Sequence, residues 1–175
     1  MMESLGRHTQ DSISGSREGR VVSVNVSNGG VPKHPVTGAH VSSEGLEGDR
    51  QRNLKHHGGP DRAVCLYSMD FIEELLGEGH PIAPGTVGEN LTVAGIDWTL
   101  MVPGARVTVG AVELELTAYA HPCRNISDSF REGRFNRISA KTHADEARVY
   151  ARVVVEGTVQ PGDPVRVDDG ADPTD

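Results

Sequence analysis

One cysteine in this chain stands in surroundings that suit chemistry. Cys123 lies in His121-Pro122-Cys123-Arg124-Asn125, directly after the strongest strand pattern of the sequence. Positive charge near a thiol lowers its pKa. A thiolate can act as a nucleophile, a redox sulfur or a soft metal ligand. Pro122 restrains the backbone before the sulfur and removes one donor. Arg124 is adjacent in sequence, so its side chain need not face the thiol, and a structural cysteine after a strand is the competing reading.

A second constellation is Gly45-Leu46-Glu47-Gly48-Asp49-Arg50-Gln51-Arg52-Asn53-Leu54-Lys55-His56-His57-Gly58-Gly59-Pro60-Asp61-Arg62. Arg50, Arg52, Lys55 and Arg62 stand against Asp61 alone from Arg50 onward, with His56 and His57 between them. Glycines let backbone N–H groups approach an anion, and arginine holds a phosphate through two bonds. The pattern suits a cradle for a phosphorylated ligand; a solvated charged loop is the alternative. A third, weaker feature is Gly88-Glu89-Asn90, a strand-entry turn whose polar groups could line a pocket. His56, His57, His121, Cys123 and His143 are zinc-type ligands but fall at no paired spacing. There is no P-loop, dinucleotide fingerprint or nucleophile elbow.

These residues need a scaffold, and 175 residues suffice for one domain with a real core. With 21 glycines, 10 prolines and few aromatics, short strands and turns fit better than a helical bundle. The net charge of -8 disfavours generic nucleic-acid binding. Two cysteines make no disulfide framework, and no run approaches the ~20 apolar residues of a membrane helix. The N-terminus lacks the apolar core of a secretory signal. A cytoplasmic, membrane-free protein is expected.

Residues 1–19 read as a disordered tail and 168–175 as a loose acidic tail around a domain at 20–167. Strands are expected at 20–26, 63–67, 98–101, 106–109, 112–117, 149–155 and 165–167, with another entered from Gly88. Cys65 reads as a small core hydrophobe within the second of these. Residues 31–61 show almost no apolar period and read as one long functional loop. Ser68 to Gly77 is the clearest helix, with Phe71, Ile72, Leu75 and Leu76 on one face. Ser68 or Asp70 can cap it, Asp70 has capping-box spacing to Glu73, and Gly77 suits the position past its end. Residues 128–141 read as a loop or irregular helix with a basic side. The absence of β-α alternation predicts a mostly β, antiparallel, barrel-like α+β domain with one or two short helices.

The serial order of these motifs resembles the MOSC domain, the module of molybdenum cofactor sulfurase C-termini, in its stand-alone bacterial YiiM-like form. The resemblance rests on Gly-Leu-Glu-Gly-Asp-Arg, Lys-His-His-Gly-Gly-Pro-Asp-Arg-Ala-Val, Gly-Glu-Asn-Leu-Thr, Gly-Ala-Arg-Val-Thr-Val-Gly, Pro-Cys and Gly-Asp-Pro-Val, collinear over roughly residues 20–167. It implies binding of the pyranopterin molybdenum cofactor, with Cys123 as thiolate ligand to molybdenum. Arg50, Arg52, Lys55, His56, His57, Arg62, Glu89, Asn90 and Arg124 then become candidate cofactor-binding residues, and His121 a candidate catalytic neighbour. Here His121 precedes Pro122 where an arginine is more usual for the family. Some relatives reduce N-hydroxylated compounds. Two cysteines cannot ligate an iron–sulfur cluster, so a reduction would draw its electrons from a separate protein partner. The alternatives are a carrier of cofactor or sulfur, with a persulfide on Cys123, and a partner-binding barrel without cofactor.

Overall fold

β-branched residues recur at alternate positions along much of the chain, a pattern that suits half-buried strands. The computed structural model describes residues 14–50 and 58–170. Its strands are β1 (Glu18–Val26), β2 (His34–Val36), β3 (Ala39–Ser42), β4 (Gly45–Leu46), β5 (Val64–Ser68), β6 (Leu91–Ala94), β7 (Arg106–Val109), β8 (Val112–Tyr119), β9 (Val149–Val155), β10 (Gly157–Val159) and β11 (Pro164–Val167). The ring β11-β7-β8-β9-β5-β6-β1 closes on itself because β1 also pairs with β11. Glu18 stands opposite Arg166 there, and Arg20 opposite Pro164. Closure removes the free edges that an open sheet would expose. β2 hangs on β1 outside the ring, and β10, β3 and β4 form a small second sheet.

The barrel-like, mostly β fold class is therefore observed. One pairing departs from the antiparallel expectation: β5 and β6 run parallel, with Leu66 opposite Leu91. The barrel is filled by alternate residues, among them Val107, Val109, Leu114, Leu116, Val149, Ala151, Val165 and Val167, all fully buried. Burial of each such valine or leucine side chain contributes roughly 1.5–3 kcal/mol. The hairpin β7–β8 turns at Gly110-Ala111 as its sequence predicts, with Val109 opposite Val112.

Helix α1 (Met69–Gly77) covers one side. Ser68 is its N-cap, and the Ser68 hydroxyl accepts the Phe71 N–H at 3.3 Å. Asp70 forms no capping box: its carboxylate accepts the Gly95 N–H at 2.9 Å and ties the helix to the end of β6. Ile72 and Leu75 are buried, but Leu76 is 47% exposed, so the apolar face is narrower than its spacing suggests. The left-handed residue past the helix is Gly79, φ 93°, rather than Gly77. Replacing Ser68 by alanine removes a cap and is expected to lower stability by about 1 kcal/mol, measured by urea unfolding.

Two further expectations are corrected. Residues 98–101 are not a strand: Asp97 accepts from the Thr99 amide and hydroxyl, and Trp98–Leu100 becomes a 3-10 turn. The stretch 31–61 is not one loop, because β2, β3 and β4 lie within it. Apolar periodicity fails there because these strands are only two to four residues long.

The basic stretch after Cys123 is a chain of 3-10 turns, Arg124–Ser129, Arg131–Gly133, Phe135–Ile138 and Ala144–Glu146. Its charge serves the fold. Arg137 bridges Glu78, beyond the C-terminal end of α1, and Glu146. Arg131 donates to the Glu78 carbonyl at 3.3 Å. Cations near a helix C-terminus oppose its partial negative charge. No helix among the described residues is long and apolar enough to cross a membrane.

Candidate functional site

Alternation along β5 and β9 divides their side chains between two faces. Val64, Leu66, Val149 and Ala151 pack into the barrel core. Cys65 and Tyr150 are direct cross-strand partners and face the other way, into a cavity of about 450 Å³. That volume lies within the usual range for small-molecule sites. Gly30, Val31 and Lys33 enter the cavity wall from the β1–β2 loop, and Arg50 from beyond β4. Val87, Gly88 and Asn90 come from the turn before β6, and Arg148 from the start of β9. His121, Cys123, Asn125 and Ile126 close it from the segment after β8.

The cavity thus unites two features that are far apart in sequence, the cysteine stretch and part of the basic island. Cys123 is half-buried and precedes the first 3-10 turn, where its carbonyl accepts the Ile126 N–H at 3.1 Å. His121 is exposed and lines the cavity. Arg50 and Arg62 also line it, and the Arg62 guanidinium lies 5.4 Å from the centre of the Tyr150 ring. Arg124 is exposed and is not among the lining residues. Arg52, Lys55, His56 and His57 lie outside the described residues.

Asn90 and Glu89 build the wall in different ways. The Asn90 side chain accepts the Cys65 N–H at 3.0 Å and donates to the Asn25 carbonyl and to Asp49. It lines the cavity while locking β5 to the turn before β6. Glu89 stands behind the wall, fully buried, accepting the Gly85 N–H at 2.8 Å. Gly85 is required at this point: φ is 86°, and a Cβ would fall 2.3 Å from the Lys33 carbonyl oxygen.

Burial raises the Glu89 pKa to about 7, against the opposing pull of Arg148 and of the Gly85 and Thr92 hydrogen bonds. The folded value thus exceeds the unfolded one, so the protonated carboxyl contributes stability fully below about pH 4.5. That contribution fades as pH rises through about 7. Glu89→Gln is expected to remove this dependence and to gain on the wild type between pH 5 and 7.5, by up to roughly 3 kcal/mol. Urea unfolding at several pH values measures it, and a pH-independent difference would refute it.

Sequence reasoning assigned no site role to Lys33, Asn125, Arg148 or Tyr150, and read Cys65 as a core residue. Cys65 is buried as expected of a core residue, yet it lies in the cavity wall, where burial pushes its thiol up to about 11. A usable signal existed in Ala147-Arg148-Val149-Tyr150-Ala151, where alternation places Arg148 and Tyr150 on one face. Four basic side chains line the cavity, Lys33, Arg50, Arg62 and Arg148, and Lys33 among them is paired with Asp49 at 2.6 Å. Among the described residues no three His, Cys, Asp or Glu side chains gather as a metal site.

Comparison with known proteins bears on the family and the fold. Residues 53–166 match the family model of the MOSC domain. YflK of Bacillus subtilis is 33% identical over 137 residues, which is 76% of this chain and 60% of YflK. YiiM of Escherichia coli is 30% identical over 105 residues, 57% of this chain and 47% of YiiM. The chain therefore spans about half of these relatives' length, or a little more. The crystal structure of YiiM from Geobacillus stearothermophilus superposes with a TM-score of 0.65 at 22% identity, over 86% of this chain and 75% of that one. YuaD from Bacillus subtilis gives 0.68 at 17% identity, over 86% and 95%. At such identities the structural likeness is one of fold. The family match and the YflK relationship together establish that the chain belongs to the MOSC domain family, which is associated with binding of the molybdenum cofactor.

Proposed function

We propose that the cavity binds the pyranopterin molybdenum cofactor, with Cys123 as the protein ligand to the metal, and that the protein reduces N-hydroxylated compounds. The observation that carries this reading is the meeting of a partly exposed thiol with the guanidinium groups of Arg50, Arg62 and Arg148 in one cavity. These residues fit the group: a soft sulfur suits molybdenum, and arginines suit an anionic phosphate ester. Arg50 and Arg62 are the described island residues that line the cavity and would hold the anionic end. When bound, the cofactor supplies a two-electron centre able to take up an oxygen atom.

The chain's own residues shape the rest. Reduction of N–OH to N–H consumes two electrons and two protons and releases water. His121, the imidazole at the cavity, is assigned to deliver a proton to the departing oxygen. A separate electron-donor protein fits a chain with two cysteines and no flavin or nicotinamide fingerprint. Protein purified from a cofactor-producing host should contain molybdenum and a fluorescent pterin, and should turn over an N-hydroxylated nucleobase with a chemical reductant. Absence of molybdenum would refute the reading; molybdenum without turnover would turn it into a carrier.

A further inference from the structure

Arg148 is the most deeply buried basic side chain of the cavity, 6% exposed. Its Nη1 donates to the Val87 carbonyl at 2.6 Å. Its Nε is buried and has no hydrogen-bond partner among the described residues. Among the described residues its guanidinium makes no ion pair, and the Val87 carbonyl is the one hydrogen-bond partner of that guanidinium. A guanidinium stays charged at any physiological pH. Burial of such a charge is costly unless an anion accompanies it.

Among the described residues the surrounding groups do not supply that anion. Cys65 in the same wall is held as a neutral thiol by burial, its pKa raised to about 11. Tyr150 is held as a neutral phenol, raised to about 12 mainly by burial. Glu89 feels the Arg148 charge, but its carboxylate is engaged by Gly85 and Thr92 and titrates near neutrality. Asp49 is committed to Lys33 at 2.6 Å. Arg50 and Arg62 add further positive charge to the same cavity.

We propose that Arg148 anchors an oxyanion subsite in the β5–β9 wall of this cavity, where a phosphate-type group of the bound molecule docks on the Nε–Nη2 edge of its guanidinium. That edge presents two N–H donors side by side, which matches two oxygens of one anion. The identity of the molecule rests on the cofactor reading; the subsite itself does not.

The test uses the full chain without cofactor, titrated with inorganic phosphate against chloride at constant ionic strength. The readout is the side-chain Nε–H resonance of Arg148, identified by its disappearance in Arg148→Lys. A saturable shift is expected. Arg148→Gln should weaken phosphate binding by about tenfold or more, and Arg148→Lys, which keeps the charge and guards against a folding artefact, by less. Arg50→Gln should have a smaller effect than Arg148→Gln. An unmoved Nε–H resonance, or phosphate binding equal to wild type in both Arg148 variants, overturns the proposal.

A second arm identifies the source of the anion. If Arg148→Gln purified from a cofactor-producing host loses its molybdenum and pterin, the docked group is the cofactor's own phosphate. If it keeps them but shows a raised KM for phosphorylated N-hydroxy substrates alone, the group belongs to the substrate. If the wild type carries no molybdenum, the cofactor reading fails, and the phosphate titration still decides the subsite.

Discussion

Cys123→Ser protein, purified from a host that makes the cofactor, should contain molybdenum only at background level, and its turnover should fall by two orders of magnitude or more. The reason lies in the sulfur. A serine hydroxyl keeps its proton at neutral pH and is a hard, poor ligand where a thiolate is a soft one. The other cysteine cannot replace it, because burial holds the Cys65 thiol protonated and its backbone N–H is pinned by Asn90. Cys65→Ser should accordingly keep most of its molybdenum. Cys123 is only half-buried, so its replacement should change unfolding stability by less than about 1 kcal/mol. Loss of metal in Cys123→Ser is therefore separable from loss of fold. Elemental analysis of the two variants side by side decides the matter, and molybdenum retained by Cys123→Ser would remove the proposed ligand.

Asp49→Ala should be the most damaging single truncation near the cavity. The Asp49 side chain is 3% exposed and accepts four hydrogen bonds: two from Lys33 at 2.6 and 2.9 Å, one from the Ser27 amide and one from Asn90. It therefore joins the β1–β2 loop, the turn after β4 and the turn before β6, three of the segments that contribute to the cavity. Its removal strands a Lys33 ammonium that is 11% exposed, and breaking a buried pair of this kind costs about 3–5 kcal/mol. For a domain of this size the melting temperature should fall by roughly 10 °C. Asp49→Ala combined with Lys33→Met should recover part of that loss, since the stranded charge is gone. Thermal unfolding of the single and double variants tests this, and a single-variant loss under about 1 kcal/mol would show that the network is not cooperative.

Some of the scaffold was legible because its signals are local. In Val112 to Leu116 the inward Val112, Leu114 and Leu116 alternate with Glu113 and Glu115, and the strand is half-buried as that alternation requires. Ser68 stands where a hydroxyl can take an orphan amide, and it caps α1. Other features had no local signature. The parallel pairing of β5 and β6 encloses α1 and the turn through Gly85, and nothing in either strand announces its direction. Trp98 to Met101 has strand-like composition, but Asp97 wins the backbone amides and winds it into a turn.

The candidate site divides in the same way. Cys123, His121, Arg50 and Arg62 were identifiable from residue type and neighbours, because a proline-restrained thiol and a glycine-flanked basic run are unusual in an acidic chain. Which charges face the cavity was not. Arg124 looked closest to the sulfur and lies outside the cavity, whereas Arg148 is 25 positions beyond Cys123 and lines the same wall. The basic side chains at 131 and 137, legible in sequence only as a basic side, hold carbonyl and carboxyl groups near the end of α1. Periodicity, caps and turns depend on residues a few positions apart, so the amino-acid sequence by itself determined most strands, the helix and which cysteine to examine as a candidate. The burial and pairing of a charge depend on what the closed barrel brings beside it, so only the tertiary structure decided that Arg148 is buried with no ion pair among the described residues and that Cys65, Tyr150 and Cys123 share one cavity.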